Sequence, residues 1–246
     1  MRENTIIAYE GPSQLNKKPL VVLMSGFAQH SQNSKTGHMI QSWILGAEMA
    51  PLEALRTGDD KTHCGGCPLR PSRFGGCYVQ VGQAPRSVWD AWRRGRYRAV
   101  TLEDLAERCR GRVVRLGSYG DPAAVPVEVW QAALRHAEGH TGYTHQWRPK
   151  KFQYLKEYCQ ASVDMPEDVE DAIALGWGTF RVRAVQDTQL NPGEIACPAS
   201  EEMGKVTTCS ACRLCAGTQK RGPVHVSIQA HGATRRRVER RLLTSA

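Results

Sequence analysis

Seven of the nine cysteines fall into two groups spaced like metal ligands. Near the carboxyl end, Cys209, Cys212 and Cys215 follow one another at two-residue gaps, and Cys197 stands twelve residues upstream in an Ala-Cys-Pro-Ala-Ser segment. Three thiolates so spaced on a loop of small residues match the run that wraps one corner of a ferredoxin cubane, and Cys197 at a strand end can supply the fourth ligand. Zinc, the alternative, takes four tetrahedral ligands and is usually served by two separated Cys-x2-Cys pairs. The tight triple therefore favours a 4Fe-4S cluster. The other group, Cys64, Cys67 and Cys77, lies in a glycine-rich stretch whose backbone can fold round an ion. Here zinc and iron–sulfur stay open. Either His63 or a remote residue closes a structural site, or one coordination position is left free for chemistry. Spacing does not decide whether the two groups serve one centre or two. Cys109 and Cys159 fall in helical register with Leu102, Leu105 and Ala106, and with Phe152 and Leu155, and read as core.

Polar residues at the ends of expected strands form a second set: Ser118, Tyr119 and Asp121, Thr144 and His145, Ser162 and Asp164, Arg181 and Arg183, Ser200 and Glu201. Asp121, His145, Arg181 and Arg183 are the catalytic candidates among them. His145 is a general acid/base or a structural histidine. Asp164 reads as a helix cap. Arg181 and Arg183 alternate with Phe180 and Val182, so they bind an anion if that face is interior and are surface charges otherwise. Lys35-Thr36-Gly37 could touch a phosphate, but it lacks the spacing of a nucleotide-hydrolysing loop. Trp89–Arg98 interleaves aromatics with arginines. It either contacts nucleic acid by stacking and phosphate binding, or forms an amphipathic helix with its tryptophans inward.

These residues need a scaffold. A chain of 246 residues suggests one large domain or one plus an appendage, and 41% hydrophobic content excludes global disorder. The expected division is 1–199, an α/β domain including the loop 58–77, and 200–246, a cluster-binding segment with a late strand and a basic tail. No apolar run is long enough to span a membrane. The polar start lacks a signal-peptide plan, so a cytoplasmic setting is expected, where clustered cysteines bind metal rather than pair. The net charge of +9 suits an anionic partner. Five arginines against one glutamate in 233–246 make the tail a nucleic-acid-binding arm or a solubilising end.

Periodicity gives strands at 20–24, 39–45, 77–81, 112–117, 142–147, 160–164, 179–184, 194–199 and 224–230. Helices are expected after Pro51 and at 86–94, 101–109, 126–138, 150–159 and 166–175. Strand–helix alternation with short connections argues for parallel pairing, in an open doubly wound sheet or a partial barrel. In both, chemistry sits at the carboxyl ends of the strands.

The cysteine loop after strand 39–45, and the Ser118-Tyr-Gly-Asp-Pro122 turn after strand 112–117, resemble those of radical S-adenosylmethionine enzymes. Those enzymes place three cluster cysteines after the first strand and a Gly-Gly-Glu-Pro-like turn after the second. The family's usual spacing is C-x3-C-x2-C, and this chain has C-x2-C-x9-C. The resemblance implies a partial (βα)6-type barrel of mainly parallel strands with a Cys-rich C-terminal extension, and S-adenosylmethionine as cofactor. It further implies cofactor contacts at Ser118, Tyr119, Gly120 and Asp121, and an auxiliary cluster at Cys197, Cys209, Cys212 and Cys215. The Lys-Thr-Gly, Gly-Tyr-Thr-His-Gln-Trp and Cys-Pro-Ala-Ser segments are similar to those of uncharacterised phage- and plasmid-encoded proteins. The expected function is a cluster-dependent enzyme of a mobile genetic element, served by a reductant. The alternative is a non-catalytic, metal-stabilised nucleic-acid-binding protein.

Overall fold

The computed structural model describes residues 3–29, 33–70, 72–73, 75–218 and 222–244. Strand β1 (Thr5–Pro12) opens the chain, followed by β2 (Pro19–Ser25) and β3 (Ile40–Gly46). β2 is buried at five successive positions, Leu20 to Met24, as befits a strand covered on both faces. It lies between β1 and β3, antiparallel to both. β1 is a strand the sequence reading lacks; its Thr-Ile-Ile start carries the branched side chains that suit a pleated surface.

From β3 onward all pairing is parallel. Helices α1 (Pro51–Thr57), α2 (Lys61–Cys64), α3 (Ala84–Arg93) and α4 (Leu102–Arg108) precede β4 (Val113–Tyr119). Then come α5 (Val127–Leu134), β5 (Gly139–Thr144), a 3-10 helix at Lys150–Glu157 where an α-helix was expected, β6 (Gln160–Val163), α6 (Pro166–Ala174) and β7 (Thr179–Arg183). The last elements are β8 (Glu194–Ala196), α7 (Cys209–Cys212), β9 (His225–Gln229) and α8 (Arg235–Thr244). The nine strands form one mixed, mostly parallel open sheet in the order β1-β2-β3-β4-β5-β6-β7-β9-β8. Strand order follows chain order as far as β7, without the mid-sheet reversal of a doubly wound fold. β9, from the segment expected to be an extension, pairs with β7 on one side and β8 on the other, so that segment is woven into the sheet.

One sheet face is buried under α4, α5, the 3-10 helix and α6, around Val22, Ile40, Val114, Leu116, Trp130, Ala161 and Trp177. The hydroxyl of Thr101 caps α4 by accepting from the Asp104 amide at 3.1 Å, as its sequence suggests. Cys109 and Cys159 are fully buried in this core. The other face is covered in two places. α1 and α3 bring Leu52, Trp89 and Trp92 onto Val21, Leu23 and Leu45. At the far end, Tyr143, Phe180, Val182, Val226 and Ile228 cluster with Cys197 and Cys215. A cavity lies between these two patches.

One local expectation is overturned. Residues 77–81 form no strand; Val79 and Val81 pack instead on the patch beneath α3. The basic tail, read as a nucleic-acid-binding arm or a solubilising end, is the helix α8 as far as residue 244, anchored where Val238 is buried and the Thr234 hydroxyl donates to the Gly76 carbonyl at 3.2 Å.

Candidate functional site

The cavity, of about 420 Å³, opens on the free face of the parallel strands toward their carboxyl ends. That volume suits a small-molecule site. All seven grouped cysteines line it. They arrive from segments more than a hundred residues apart in sequence.

The first group is held by a loop built on a buried acid. Asp60 is fully buried, bonded to the Arg70 guanidinium at 2.8 Å and to the Ser72 hydroxyl at 2.7 Å, while Arg70 Nε donates to the Cys67 carbonyl at 3.3 Å. The Cys77 amide donates to the Leu69 carbonyl at 2.8 Å and closes the loop. His63 is no spare ligand. Its Nδ1 accepts from the Gly46 amide at 3.3 Å, which leaves the proton on Nε2, 3.1 Å from the Tyr119 hydroxyl. Burial pushes its pKa down to about 4. Burial, and then the neighbouring thiols, push Cys64 well above the usual thiol range; burial also takes Cys77 to about 11.

This loop rests on the turn after β4. The Asp121 amide donates to the His63 carbonyl at 2.6 Å, and Gly120 (φ +84°) comes so close that a Cβ there would stand 2.7 Å from the Ile44 carbonyl oxygen. Only glycine fits both constraints. The Asp121 carboxylate accepts from the Ala123 amide (2.9 Å), the Thr144 hydroxyl (2.7 Å), the His145 amide (2.9 Å) and the Gln146 amide group (3.4 Å). Four bonds exhaust its acceptor sites. It is a clasp between two loops, with no acceptor to spare for a cofactor amine. Burial raises its pKa, although those hydrogen bonds pull the other way. Ser118 lines the cavity while donating to Gln41 at 2.6 Å, and Tyr119 lines it with its hydroxyl on His63.

His145 faces the cavity with Nε2 3.3 Å from an Asp164 carboxylate oxygen. Burial lowers its pKa, but the Cys67 thiol and the Asp164 carboxylate outweigh this and hold it well above the ordinary value. Asp164 is thus turned toward His145 rather than capping α6; the N-cap is Met165, and Asp168 inside the helix reaches back to accept from the Asp164 and Met165 amides at 3.1 and 3.2 Å. Ser162 also lines the wall.

The second group sits on α7 and its flanks. Thr208 caps that short turn, and the Cys209 amide donates to the Lys35 carbonyl at 2.8 Å. Cys197 follows β8 with its amide on the Ser227 carbonyl at 2.8 Å, and the Cys215 carbonyl accepts from the Gly142 amide at 2.9 Å. Burial raises Cys197 and Cys209 and takes Cys215 to about 12, the last eased by a hydrogen bond from Tyr143. Among the described residues, no group of three or more His, Cys, Asp or Glu is arranged to hold a metal ion.

Arg181 and Arg183 are not in the cavity. Strand alternation turns Phe180 and Val182 into it and sends the arginines to the other face. There Arg181 forms a two-bond pair with Glu194 at 2.8 and 2.7 Å, and Arg183 pairs with Glu202 and donates to Ser227 at 3.1 Å. Ser200 and Glu201 line an adjoining depression that shares Lys35, Ala199 and His231 with the cavity. The Trp89–Arg98 rings are also occupied. Trp89 donates to the Gly46 carbonyl at 3.0 Å, Trp92 to Glu10 at 2.8 Å, and Arg93 lies over both indoles. The segment is an amphipathic helix with its tryptophans inward, so its indoles are not presented for stacking on bases.

No family model, curated protein or solved structure matches this chain. No helix among the described residues is long and apolar enough to cross a membrane.

Proposed function

We propose that this chain is an iron–sulfur enzyme, with Cys64, Cys67 and Cys77 holding one cluster and Cys197, Cys209, Cys212 and Cys215 a second, on opposite sides of a shared substrate cavity. One observation carries this reading. The seven cysteines with ligand spacing all line the cavity, whereas Cys109 and Cys159 are sealed in the core. Soft thiol donors gathered by rigid loops suit iron–sulfur chemistry. Burial and mutual repulsion disfavour the thiolates, a bias that a bound cation would reverse.

Such clusters, when bound, supply one-electron chemistry, and an incompletely ligated iron offers a position to a reactant. The chain's own residues shape what surrounds it. His145, with Nε2 3.3 Å from Asp164 and its pKa raised by its acidic neighbours, stands beside the first group and is the acid/base candidate. Asp121 acts as a positioning residue, fixing the turn on which the first group rests. The sheet forms one wall of the cavity, and a curve of that sheet into a partial barrel is the fold the family resemblance implies. S-adenosylmethionine is the cofactor the family resemblance implies for the first group, and a setting in a mobile genetic element is the corresponding biological proposal.

Anaerobic purification with iron and acid-labile sulfide assays tests the reading. A brown protein with broad visible charge-transfer absorption and about equal iron and sulfide is expected, with Cys212→Ser losing part of both. A colourless protein with stoichiometric zinc would overturn it. Reductive cleavage of S-adenosylmethionine by the loaded protein checks the cofactor alone.

A further inference from the structure

One wall of the cavity carries two cations that form no ion pair with a carboxylate among the described residues. Arg115, on β4, donates to the Tyr78 hydroxyl at 2.5 Å, but its Nε is buried with no hydrogen-bond partner. Lys35 approaches His231 Nε2 at 3.1 Å and takes part in no ion pair among the described residues. The hydroxyl oxygen of Thr36, a residue 3% exposed, is also without a partner. All three residues line the cavity. Glu201 lies within electrostatic range of Lys35 but is exposed and paired with Lys205 at 3.1 Å. The acidic groups that face Arg115 are the Tyr78 and Tyr143 phenols and the Cys209 and Cys215 thiols, and those facing Lys35 are Cys197, Cys209 and Cys215, so no carboxylate satisfies the half-buried guanidinium, whose planar fork matches a carboxylate or phosphate. On the neighbouring strand, two residues beyond Arg115's register partner Thr141, Tyr143 packs on Phe180 with ring centroids 4.7 Å apart and offers an apolar face to the cavity.

We infer that Arg115, Lys35 and Thr36 form a binding site for the carboxylate or phosphate head of a small organic anion whose apolar body lies against Tyr143 and Phe180. The site belongs to the chain's own side chains; only the ligand's standing as substrate rests on the proposed function. It gives the Lys35-Thr36 pair the anion contact that the loop's composition suggested.

The test is calorimetric titration of the protein as purified with phenyl phosphate, benzoate and, as a neutral control, benzyl alcohol. Iron is assayed in every sample. Binding of at least one of the two anions but not of the alcohol is expected, and the two anions decide between phosphate and carboxylate. Arg115→Gln and Lys35→Gln should each weaken binding at least tenfold at unchanged iron per chain, and either suffices if the other fails to fold. The inference is overturned if neither anion binds in preference to the alcohol, or if both variants bind like the parent. It is equally overturned if binding weakens only in samples that have lost iron, because the cations then serve the thiols. An iron-free protein that still binds the anions would refute the proposed function and leave this site standing; an iron-loaded protein indifferent to them would do the reverse.

Discussion

Two buried carboxylates do different work in this protein. Asp121 spends its acceptors on four donors of its own chain, whereas Asp60 neutralises a single buried guanidinium. Removing one member of a buried ion pair strands the other. Asp60→Asn is therefore expected to cost about 3–5 kcal/mol in denaturant unfolding. His140 offers a test by pH. It is 5% exposed, its Nε2 lies 3.0 Å from the Tyr158 carbonyl, and burial lowers its pKa to about 4. As pH falls below 6.5 the unfolded chain takes up this proton before the native one does. Stability is thus full above that value and falls by about 3 kcal/mol toward pH 4. His140→Gln should remove its share of that slope in unfolding curves measured across the window, while the share of His63 remains.

At the scale of elements, the site is made of loops that lock onto one another. The turn after β4 carries the first cysteine loop, and Gly120 is the point of closest approach. Gly120→Ala forces a positive φ on a residue with a side chain and drives Cβ into the Ile44 carbonyl. A loss of at least about 2 kcal/mol in thermal or denaturant unfolding is expected. α8 closes the loop from outside, where Val238 and Leu69 would flank any side chain at Gly76. A chain cut before Thr234 should expose Cys77, and alkylation of that thiol in the metal-free protein should speed up severalfold. Much at this scale was readable in advance. Periodicity found β2 to β4 and β6 to β9 because their branched and apolar runs are bounded by turns, but it put β5 at 142–147, three residues too late, because Gly139–Thr144 carries no apolar run to mark its start. The Asp60–Arg70 pair was not readable, since two charges ten residues apart in a loop obey no period. Nor was Arg115, which looks like any polar residue of a strand until the neighbouring strands show which face is a cavity. The saturation of Asp121 depends on Thr144, His145 and Gln146, partners more than twenty residues away that no local motif announces.

Across the whole molecule, the nine cysteines divide between one face of the sheet and the other. Cys109→Ala and Cys159→Ala should leave iron content unchanged and cost about 1–2 kcal/mol in unfolding. Cys64→Ser should lower iron while Cys109→Ala does not, a contrast read by metal analysis of the purified variants. Sheet order was the least readable property. β8 precedes β9 in the chain yet lies outside it, at the edge, and nothing in either segment's composition distinguishes an edge strand of three residues from an inner one.

That inverted order affects how the protein is made. β8's only strand partner is β9, so until residues 225–229 have been made the strand leading to Cys197 is held by little more than the Arg181–Glu194 pair. Until then the thiols of the carboxyl-terminal group hang on an unfinished edge, open to oxidation and to stray metal ions. On the proposed reading, assembly of the carboxyl-terminal group follows the seating of β9.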